Sequence, residues 1–326
     1  MRFLQLQASP RTIARLGFRS VQQWLGKNYP YFVSYEITQH CNIRCDGCFY
    51  YEEVHAHHDG SADPQTEQSL KILQALAVAG VPVVQLIGGE PFMREDLPDI
   101  VAAGHEMGLT LTVVTNGMKL DERKLDAVDR HCEWVIFSPH VPEEIKGRRG
   151  EKHYESAWLG LETMRSAISR SVLVSTIVVS KHTAPRMNEL IERSIAAGVD
   201  KIKFNPNIYH RLFITQEEAS EVVSTIRAWK KRFPKIIIES EAALDNLRKA
   251  FSNNLLFDCY INRHFYMNVS VKGDVSACPA TNAPLGNILE MPLINMLNQR
   301  VSEVSGCNGC TRLDVQTALR ITGARH

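Results

Sequence analysis

The sequence lacks an excess of charge of either sign and lacks any long apolar run. Lysine and arginine together number 37 and aspartate and glutamate 36, so the formal net charge is +1. A general nucleic-acid binder usually carries a strong basic excess, so the charge balance argues against such a partner. The longest mostly apolar stretches, such as residues 81–87, are far too short to cross a bilayer. The polar opening residues also lack the apolar centre of a secretory signal, and we expect a cytoplasmic protein.

The eight cysteines are even in number but lack the setting in which disulfide bridges are needed. The chain has 326 residues, which is long enough to bury a core without such cross-links. Hydrophobic residues make up 44% and charged residues 22%, the proportions of an ordinary globular chain. In a cytoplasmic protein, clustered cysteines more often bind metal than pair with one another. The length predicts two domains, or one large domain with an appendage.

Short β-branched segments alternate with helical segments through most of the chain, which predicts an α/β fold with a parallel sheet. The candidate strands of this alternation are residues 32–38, 83–87, 109–115, 134–138, 172–179 and 201–205. Residues typical of helix starts and ends separate them, for example Asp63-Pro64 before one helix and Gly80 after it. Residues 236–239 read as one further strand. The series predicts right-handed crossovers in a sheet that is curled as part of a barrel or left open.

By pattern, the chain divides into three segments, residues 1–29, 30–250 and 251–326. The first holds one amphipathic helix, in which apolar residues such as Leu16 and Trp24 recur at helical spacing between arginines. That helix either packs on the sheet, which we favour, or lies on an anionic membrane. The last segment has short strand-like pieces that meet at a turn over residues 272–274, and it holds four of the cysteines.

Cys41, Cys45 and Cys48 follow the first predicted strand in the spacing C-x3-C-x2-C. Three thiolates on one tight loop can hold three irons of a [4Fe–4S] cluster, which leaves the fourth iron open to a substrate or cofactor. The loop leaves the carboxyl end of a parallel strand, where barrels of this kind place their active sites. The alternative is a zinc site, which needs a fourth ligand from elsewhere. The nearby histidines that could supply it are His40, His55, His57 and His58.

Further motifs follow the next predicted strands and, together with the cysteines, carry a family resemblance. Gly88-Gly89-Glu90-Pro91 follows the second strand, Thr115-Asn116-Gly117 ends the third, and Ser138 ends the fourth. In this order the motifs resemble those of the radical S-adenosylmethionine (SAM) enzymes, over roughly residues 31–210. The resemblance implies a partial (β/α)6 TIM barrel with SAM bound to the open iron. It also implies that the glycine-rich motif meets the methionine amino group of SAM and that Ser138 lies near the ribose.

The resemblance implies a reaction class and a redox partner as well. Enzymes of this family use one electron to cleave SAM to a 5′-deoxyadenosyl radical, which abstracts a hydrogen atom from the substrate. The electron would come from a flavodoxin or a ferredoxin. Cys41, Cys45 and Cys48 would hold the catalytic cluster.

Two positions depart from the family pattern. The residue before the third cysteine is commonly aromatic in the family, and here it is Gly47. Aromatic residues come directly after that cysteine instead, and Phe49 is the one that we assign to the adenine of SAM. After Ser138 the family commonly continues Leu-Asp-Gly, whereas this chain reads Pro139-His140. His140 is therefore open to three interpretations: a local substitute, a substrate contact, or a loop histidine without a role.

Cys259, Cys278, Cys307 and Cys310 form a second set, in the pattern C-x13-G-x4-C followed by C-x2-C. Four thiolates complete the ligand shell of one [4Fe–4S] cluster, and four cysteines equally suit a structural zinc ion. The spacing resembles the twitch domain, a short form of the SPASM domain, which implies an auxiliary [4Fe–4S] cluster in a small α+β domain. Such a cluster would accept electrons, relay them, or hold the domain in shape. The eighth cysteine, Cys132, reads as a buried structural thiol.

The sequence says least about the substrate. The N-terminal extension is too short for an added peptide-binding domain, which favours a small molecule, with oxidation or another radical transformation as the reaction. A membrane lipid is one alternative, because the basic helix could reach an anionic surface and the opening loosely resembles the hopanoid-adenosylating branch of the family. A peptide substrate and a non-enzymatic zinc or iron–sulfur protein are further alternatives. Arg148 and Arg149 could contact an anionic substrate or face solvent.

Overall fold

The computed structural model describes most of the chain. The described residues are 7–25, 30–48, 63–147, 150–207, 210–251, 266–276 and 284–297. Several residues singled out by sequence lie outside them. These are Phe49, His55, His57, His58, Arg148, Arg149, Cys259, Cys278, Cys307 and Cys310.

Strands and helices alternate along the described chain, as the sequence predicts. In order they are α1 (Pro10–Trp24), β1 (Phe32–Thr38), α2 (Thr66–Val78), β2 (Val83–Gly88), α3 (Leu97–Glu106), β3 (Thr110–Thr115), α4 (Glu122–His131), β4 (Cys132–Phe137), α5 (Gly150–Ala167), β5 (Val172–Val179), α6 (Met187–Ala196), β6 (Lys201–Pro206), α7 (Gln216–Arg232), α8 (Glu241–Lys249), β7 (Tyr266–Val269), β8 (Asp274–Ser276), β9 (Pro284–Asn287) and α9 (Leu293–Leu297). Short 3-10 turns follow several strands, the first of them over Pro91–Met93.

The described strands form one open sheet in the order β6-β5-β4-β3-β2-β1-β7-β8-β9. The pairings from β6 through β1 to β7 are all parallel, whereas β8 pairs antiparallel with both β7 and β9. This confirms the predicted α/β fold with a parallel sheet, curled as in a partial barrel and not closed. The carboxyl ends of the parallel strands meet at one edge, and the motifs found in the sequence lie there.

The parallel strands bury apolar side chains on both faces of the sheet, as parallel sheets do. On β2, Val84 and Leu86 join the large core between the sheet and its helices. Val83, on the opposite face, joins a smaller group of residues. We call that face the inner face. We call the smaller group the inner cluster; its buried members are Leu16, Tyr31, Val83, Trp134, Val172, Val174 and Tyr266.

Helix α1 packs against the amino-terminal edge of the sheet, and its basic side points inward. Arg15 donates to the Val81 carbonyl at 2.7 Å and also to that of Gly108. Arg19, which is only 6% exposed, donates to the Ala79 carbonyl at 2.7 Å. These acceptors lie at and just beyond the carboxyl ends of α2 and α3, where helix carbonyls lack partners of their own. Packing on the sheet, the interpretation that we favoured, is what the structure shows.

The apolar residues of α1 are in large part exposed. Phe18 is 62% exposed and Trp24 is 85% exposed, whereas Leu16 reaches the inner cluster. Membrane contact through this helix stays a prediction. Within the described residues, no helix combines the length and the apolar character that crossing a bilayer requires.

The C-terminal strands differ from the sequence prediction in two respects. Residues 236–239 form no strand, because the turn after α7 takes the Ile237 amide to the Phe233 carbonyl and leaves one bridge to Ile202. Strand β7, which lies beyond the predicted boundary at residue 250, pairs with β1 and so extends the same sheet. The hairpin predicted over residues 272–274 is confirmed by the antiparallel pairing of β7 and β8.

Candidate active site at the carboxyl ends of the strands

The three cysteines of the first set lie on the loop that leaves the carboxyl end of β1. Cys45 is buried, and Cys41 and Cys48 are partly buried. Burial, with the nearby Glu90 carboxylate and the other two thiols, raises the pKa of Cys41 to about 12, although the Ile43 amide favours the thiolate. Thiolates in such surroundings are stabilised by a bound cation, and the donor set therefore suits an iron–sulfur cluster.

The loop after β4 holds the cysteine loop in place through its main chain. Cys45 and Ile145 form an antiparallel bridge. The Asp46 amide donates to the Glu144 carbonyl at 2.6 Å. Because both partners lie on loops at the same edge of the sheet, the position of the thiols depends on the β4 loop as well as on β1.

Side-chain contacts fix the middle of the cysteine loop. The Asp46 carboxylate accepts hydrogen bonds from His182 Nε2, at 3.1 Å, and from Arg211. Gly47 has a φ of +72°, and a Cβ there would lie 2.0 Å from Cδ1 of Leu212. The departure from the family pattern at Gly47 thus has a packing reason, since the buried Leu212 side chain fills the space next to it.

The two glycines after β2 allow the main chains of two loops to touch. A Cβ on Gly88 would lie 2.2 Å from the Thr38 carbonyl oxygen, and one on Gly89 would lie 2.1 Å from the His40 carbonyl oxygen. The Gly89 amide donates to the Thr38 carbonyl at 2.9 Å. Sequence reasoning assigned these glycines to the close approach of a ligand; the structure also makes them the contact between β2 and the cysteine loop.

Glu90 is buried between the ends of β2 and β3, with only 1% of its surface exposed. Its carboxylate accepts hydrogen bonds from the Asn116 amide at 2.7 Å, the Phe92 amide at 3.1 Å and the Thr115 hydroxyl at 2.8 Å. Burial raises the pKa of Glu90 to about 7, although these hydrogen bonds favour the ionised form. The carboxylate is thus a fixed acceptor close to the cysteines.

The motif after β3 connects Glu90 to the cysteine loop. Asn116 Nδ2 donates to Asn42 Oδ1 at 2.9 Å and lies 3.9 Å from Cys41 Sγ. The Ser138 amide, at the end of β4, donates to the Thr115 carbonyl at 2.9 Å. The structure therefore brings the predicted site residues of four neighbouring strand ends together.

His140 lies against the cysteine loop rather than free in solvent. It lies beside the Cys45 side chain, and its Nδ1 lies 3.7 Å from Glu144 Oε2. Burial disfavours the imidazolium, but Cys45 and Glu144 outweigh that effect and raise the pKa of His140 well above its usual range. Ser180, on the loop after β5, donates to Glu144 at 3.0 Å. Of the interpretations left open by the sequence, this placement favours a local role beside the cysteines.

Of the five other cysteines, the structure describes one. Cys132 is buried at the start of β4, the end of the strand opposite the cysteine loop, and burial raises the pKa of its thiol. Cys259, Cys278, Cys307 and Cys310 lie outside the described residues. Within the described part of the chain, no three histidine, cysteine or acidic side chains surround a single point as the ligands of one metal ion would.

Sequence reasoning missed a polar group on the inner face, below the strand ends. Glu36 on β1 is 1% exposed and accepts a hydrogen bond from Asn268 Nδ2 on β7 at 2.7 Å. The signal was present, because Ser34, Glu36 and Thr38 alternate with apolar residues on a strand that is buried on both faces. The partner Asn268 could not be found, since its strand pairs with β1 only through the tertiary fold.

Comparison with known proteins agrees with this geometry. The sequence model of the family described as the Radical SAM superfamily matches residues 35–194. A PqqA peptide cyclase from Streptomyces rochei is 24% identical over 287 residues, which cover 82% of this chain and 73% of that protein. An S-adenosylmethionine-dependent nucleotide dehydratase from Lacinutrix mariniflava is 28% identical over 107 residues, 32% of this chain and 22% of that protein.

Among solved structures, Streptococcus suis SuiB bound to the precursor peptide SuiA has a TM-score of 0.66 with 15% identity. The match covers 86% of this chain and 67% of SuiB. At this level of identity the likeness concerns the fold alone. The chain spans less than two thirds of several of the curated relatives, such as 56% of a PqqA peptide cyclase from Methylocella silvestris.

Proposed function

We propose that the chain is a radical SAM enzyme and that it uses SAM to abstract a hydrogen atom from a peptide; the model of that superfamily matches residues 35–194. The observation that carries the proposal is the meeting of Cys41, Glu90, Asn116 and Ser138 at neighbouring strand ends. When bound, a [4Fe–4S] cluster would supply the electron that breaks SAM. Cys41, Cys45 and Cys48 would hold that cluster.

The residues around the cysteines would hold SAM and exclude water from it. Glu90 offers a buried carboxylate to the methionine ammonium, with Gly88, Gly89 and Pro91 setting its position. Thr115 and Asn116 hold that carboxylate from β3. Ser138 is the candidate ribose contact and Phe49 the candidate adenine contact.

The substrate in this proposal differs from the small molecule that the sequence favoured. That expectation depended on the length of the N-terminal extension. The PqqA peptide cyclase from Streptomyces rochei matches 82% of this chain, whereas the nucleotide dehydratase matches only 32%. The broader match supports a peptide, with the small molecule and the membrane lipid as alternatives. A flavodoxin or ferredoxin is the proposed reductant.

A second [4Fe–4S] cluster is part of the proposal. Cys259, Cys278, Cys307 and Cys310 are its candidate ligands, in a segment from residue 251 to 326 that follows the barrel segment, residues 30–250. In support, the described strands that lie between Cys259 and Cys278 extend the sheet beside β1, which leads into the first cysteine loop. Four cysteine ligands leave no iron open, so this cluster would move electrons or hold the segment in shape.

Iron analysis after anaerobic purification tests the cluster assignments. We expect about eight irons per chain from two four-iron clusters. Cys41→Ala and Cys45→Ala together should remove about four, and Cys132→Ala, a matched loss of a buried thiol, should remove none. Zinc in place of iron, or the same iron content in the double variant, would overturn the assignment.

A mass-spectrometric assay tests the substrate class. The reduced enzyme is incubated with SAM and with each short peptide encoded beside its gene. A peptide substrate loses hydrogen or gains a cross-link only when SAM is present. If every peptide keeps its mass while a small-molecule extract of the same cells stimulates SAM cleavage, the peptide proposal is wrong.

A further inference from the structure

A row of polar side chains lies on the inner face of the sheet, at a depth where the interiors of other barrels are mostly apolar. Asn268, Ser34, Gln85 and Thr112 are neighbours in register on β7, β1, β2 and β3. Glu36 stands one inward position further along β1, toward the cysteine loop. We call these five residues the polar layer.

The hydrogen bonds of the polar layer are incomplete. The Tyr266 hydroxyl donates to Ser34 Oγ at 2.8 Å, and Asn268 Nδ2 donates to Glu36 Oε1 at 2.7 Å. Asn268 Oδ1 and Thr112 Oγ1 are buried and have no partner in the described part of the chain. Asn268 is 5% exposed and Thr112 is 2% exposed. Buried polar atoms without partners are costly, and a bound group that donates hydrogen bonds would satisfy these two acceptors.

The polar layer separates a filled region from an open one. Next to β1 and β2, members of the inner cluster that include Leu16, Val83 and Tyr266 fill the side toward the amino-terminal strand ends. Toward the cysteine loop, inward residues of the central strands are only partly buried. Among them are Ile87, Val114, Thr176 and Val178. Partial exposure of these residues on central strands indicates accessible space on the cysteine-loop side of the polar layer.

Glu36 determines what kind of group the polar layer fits. Among the described residues no lysine, arginine or histidine forms an ion pair with its carboxyl group, and Asn268 is the one hydrogen-bond donor to it. Burial raises the pKa of Glu36 to about 7, and the hydrogen bond from Asn268 offsets only part of that rise. A buried carboxylate without a counter-charge is unfavourable, and a positively charged group that also donates hydrogen bonds would remove that penalty.

We propose that the polar layer is the floor of the substrate site and that Glu36 and Asn268 bind a cationic nitrogen group of the substrate, an ammonium or a guanidinium. This inference rests on the proposed function, since it names which part of a peptide enters the barrel. The cation would donate to Glu36 and to Asn268 Oδ1, an acceptor that has no partner among the described residues. The two residues would then determine specificity from the inner face, while the chemistry takes place at the strand ends above them.

Thermal unfolding with small probes tests the inference without using SAM or the cluster reaction. The full-length protein, purified anaerobically, is melted with about 50 mM ethylammonium chloride, ethanol or sodium acetate, with sodium chloride correcting for ionic strength. Ethylammonium should raise the melting temperature by about 2 °C, ethanol less, and acetate not at all.

Two variants and one control assign the effect to the polar layer. Glu36→Gln keeps the shape but removes the charge, and it should lose the ethylammonium shift. Asn268→Ser keeps Glu36 but removes the amide, and it should reduce the shift even if the first variant folds poorly. Glu217→Gln, at an exposed carboxylate on α7, should keep the full shift.

The failure of this inference can be distinguished from the failure of the proposed function. No ethylammonium shift in the unchanged protein, an equal shift in Glu36→Gln, or a larger shift with acetate would overturn the inference. Failure of SAM cleavage would instead overturn the proposed function and leave these melting temperatures as they are.

Discussion

At the scale of single residues, two buried glutamates at neighbouring strands have similarly raised pKa values but differ in how their carboxylates are hydrogen-bonded. Both Glu36 and Glu90 are 1% exposed, and burial raises the pKa of each to about 7. Glu90 accepts three hydrogen bonds from the Phe92 and Asn116 amides and the Thr115 hydroxyl. Within the described part of the chain Glu36 accepts one hydrogen bond, from Asn268. The protein therefore fixes the position of Glu90 for its proposed contact with SAM, whereas Glu36 keeps most of its acceptor capacity for a ligand.

Replacing Glu36 should change how stability depends on pH. Its folded pKa of about 7 lies above the unfolded value of 4.5, so its contribution is fully present below pH 4.5 and is lost as the pH rises through about 7. Glu36→Gln removes this loss, so its stability relative to the unchanged protein should rise by about 3 kcal/mol between pH 4.5 and pH 8. Denaturant unfolding at pH 4.5 and at pH 8 measures this difference in stability, with Glu217→Gln as the control. A pH-independent difference would contradict the assigned burial of Glu36.

The contact at Gly89 gives a second prediction at this scale. A Cβ there would lie 2.1 Å from the His40 carbonyl oxygen, which is main chain and cannot rotate away. Gly89→Ala should cost about 1–3 kcal/mol and displace the cysteine loop, so that the first cluster binds less iron. Gly17→Ala is the matched control, because no atom of the described residues lies within 4 Å of a Cβ placed there. Unchanged iron content and melting temperature in Gly89→Ala would contradict the close contact.

At the scale of secondary-structure elements, the sequence predicts the presence of a helix or strand better than its orientation or its pairing partner. The spacing of Leu16 and Trp24 predicts α1, and the helix is present. Its orientation could not be predicted, because Arg15 and Arg19 bind carbonyls at the ends of other helices. The six alternating strands follow from β-branched runs, whereas the pairing of β7 with β1 joins segments that are far apart in sequence.

Removing one of these arginines should loosen α1. Arg19 is 6% exposed and donates to the carbonyls of Ala79 and Gly80. Arg19→Ala leaves those acceptors without their charged donor and should lower the free energy of unfolding by about 1.5–3 kcal/mol. Arg170→Ala, at an exposed arginine side chain, should change it by less than about 0.5 kcal/mol. Equal losses in the two variants would show that the inward contacts of α1 add no stability.

At the scale of the whole molecule, the candidate site is an assembly of several strand ends, and only part of it could be predicted. The cysteine spacing and the motif around Glu90 identify which strand ends carry chemistry. The contact of His140 with Cys45 could not be predicted, because it requires the β4 loop to fold over the cysteine loop. The polar layer was also missed, since Glu36 becomes informative only beside Asn268.

The two cysteine sets should be separable in the intact protein. Cys307→Ala with Cys310→Ala should remove about four irons and leave SAM cleavage at the first cluster detectable. The physical reason is that the first set lies on a loop held by β1, β2 and the β4 loop, all within the described fold. Iron analysis and product chromatography check this together. Unchanged iron content in the double variant would show that these two cysteines bind no cluster.

The most direct measurement is the formation of 5′-deoxyadenosine by the reduced protein. The anaerobically reconstituted chain is incubated with SAM and dithionite, beside Cys45→Ala and the control Cys132→Ala. We predict 5′-deoxyadenosine from the unchanged protein and from Cys132→Ala, and none from Cys45→Ala. No 5′-deoxyadenosine from the fully reconstituted unchanged protein, or an equal yield from Cys45→Ala, would contradict the assignment of the strand-end site to SAM cleavage.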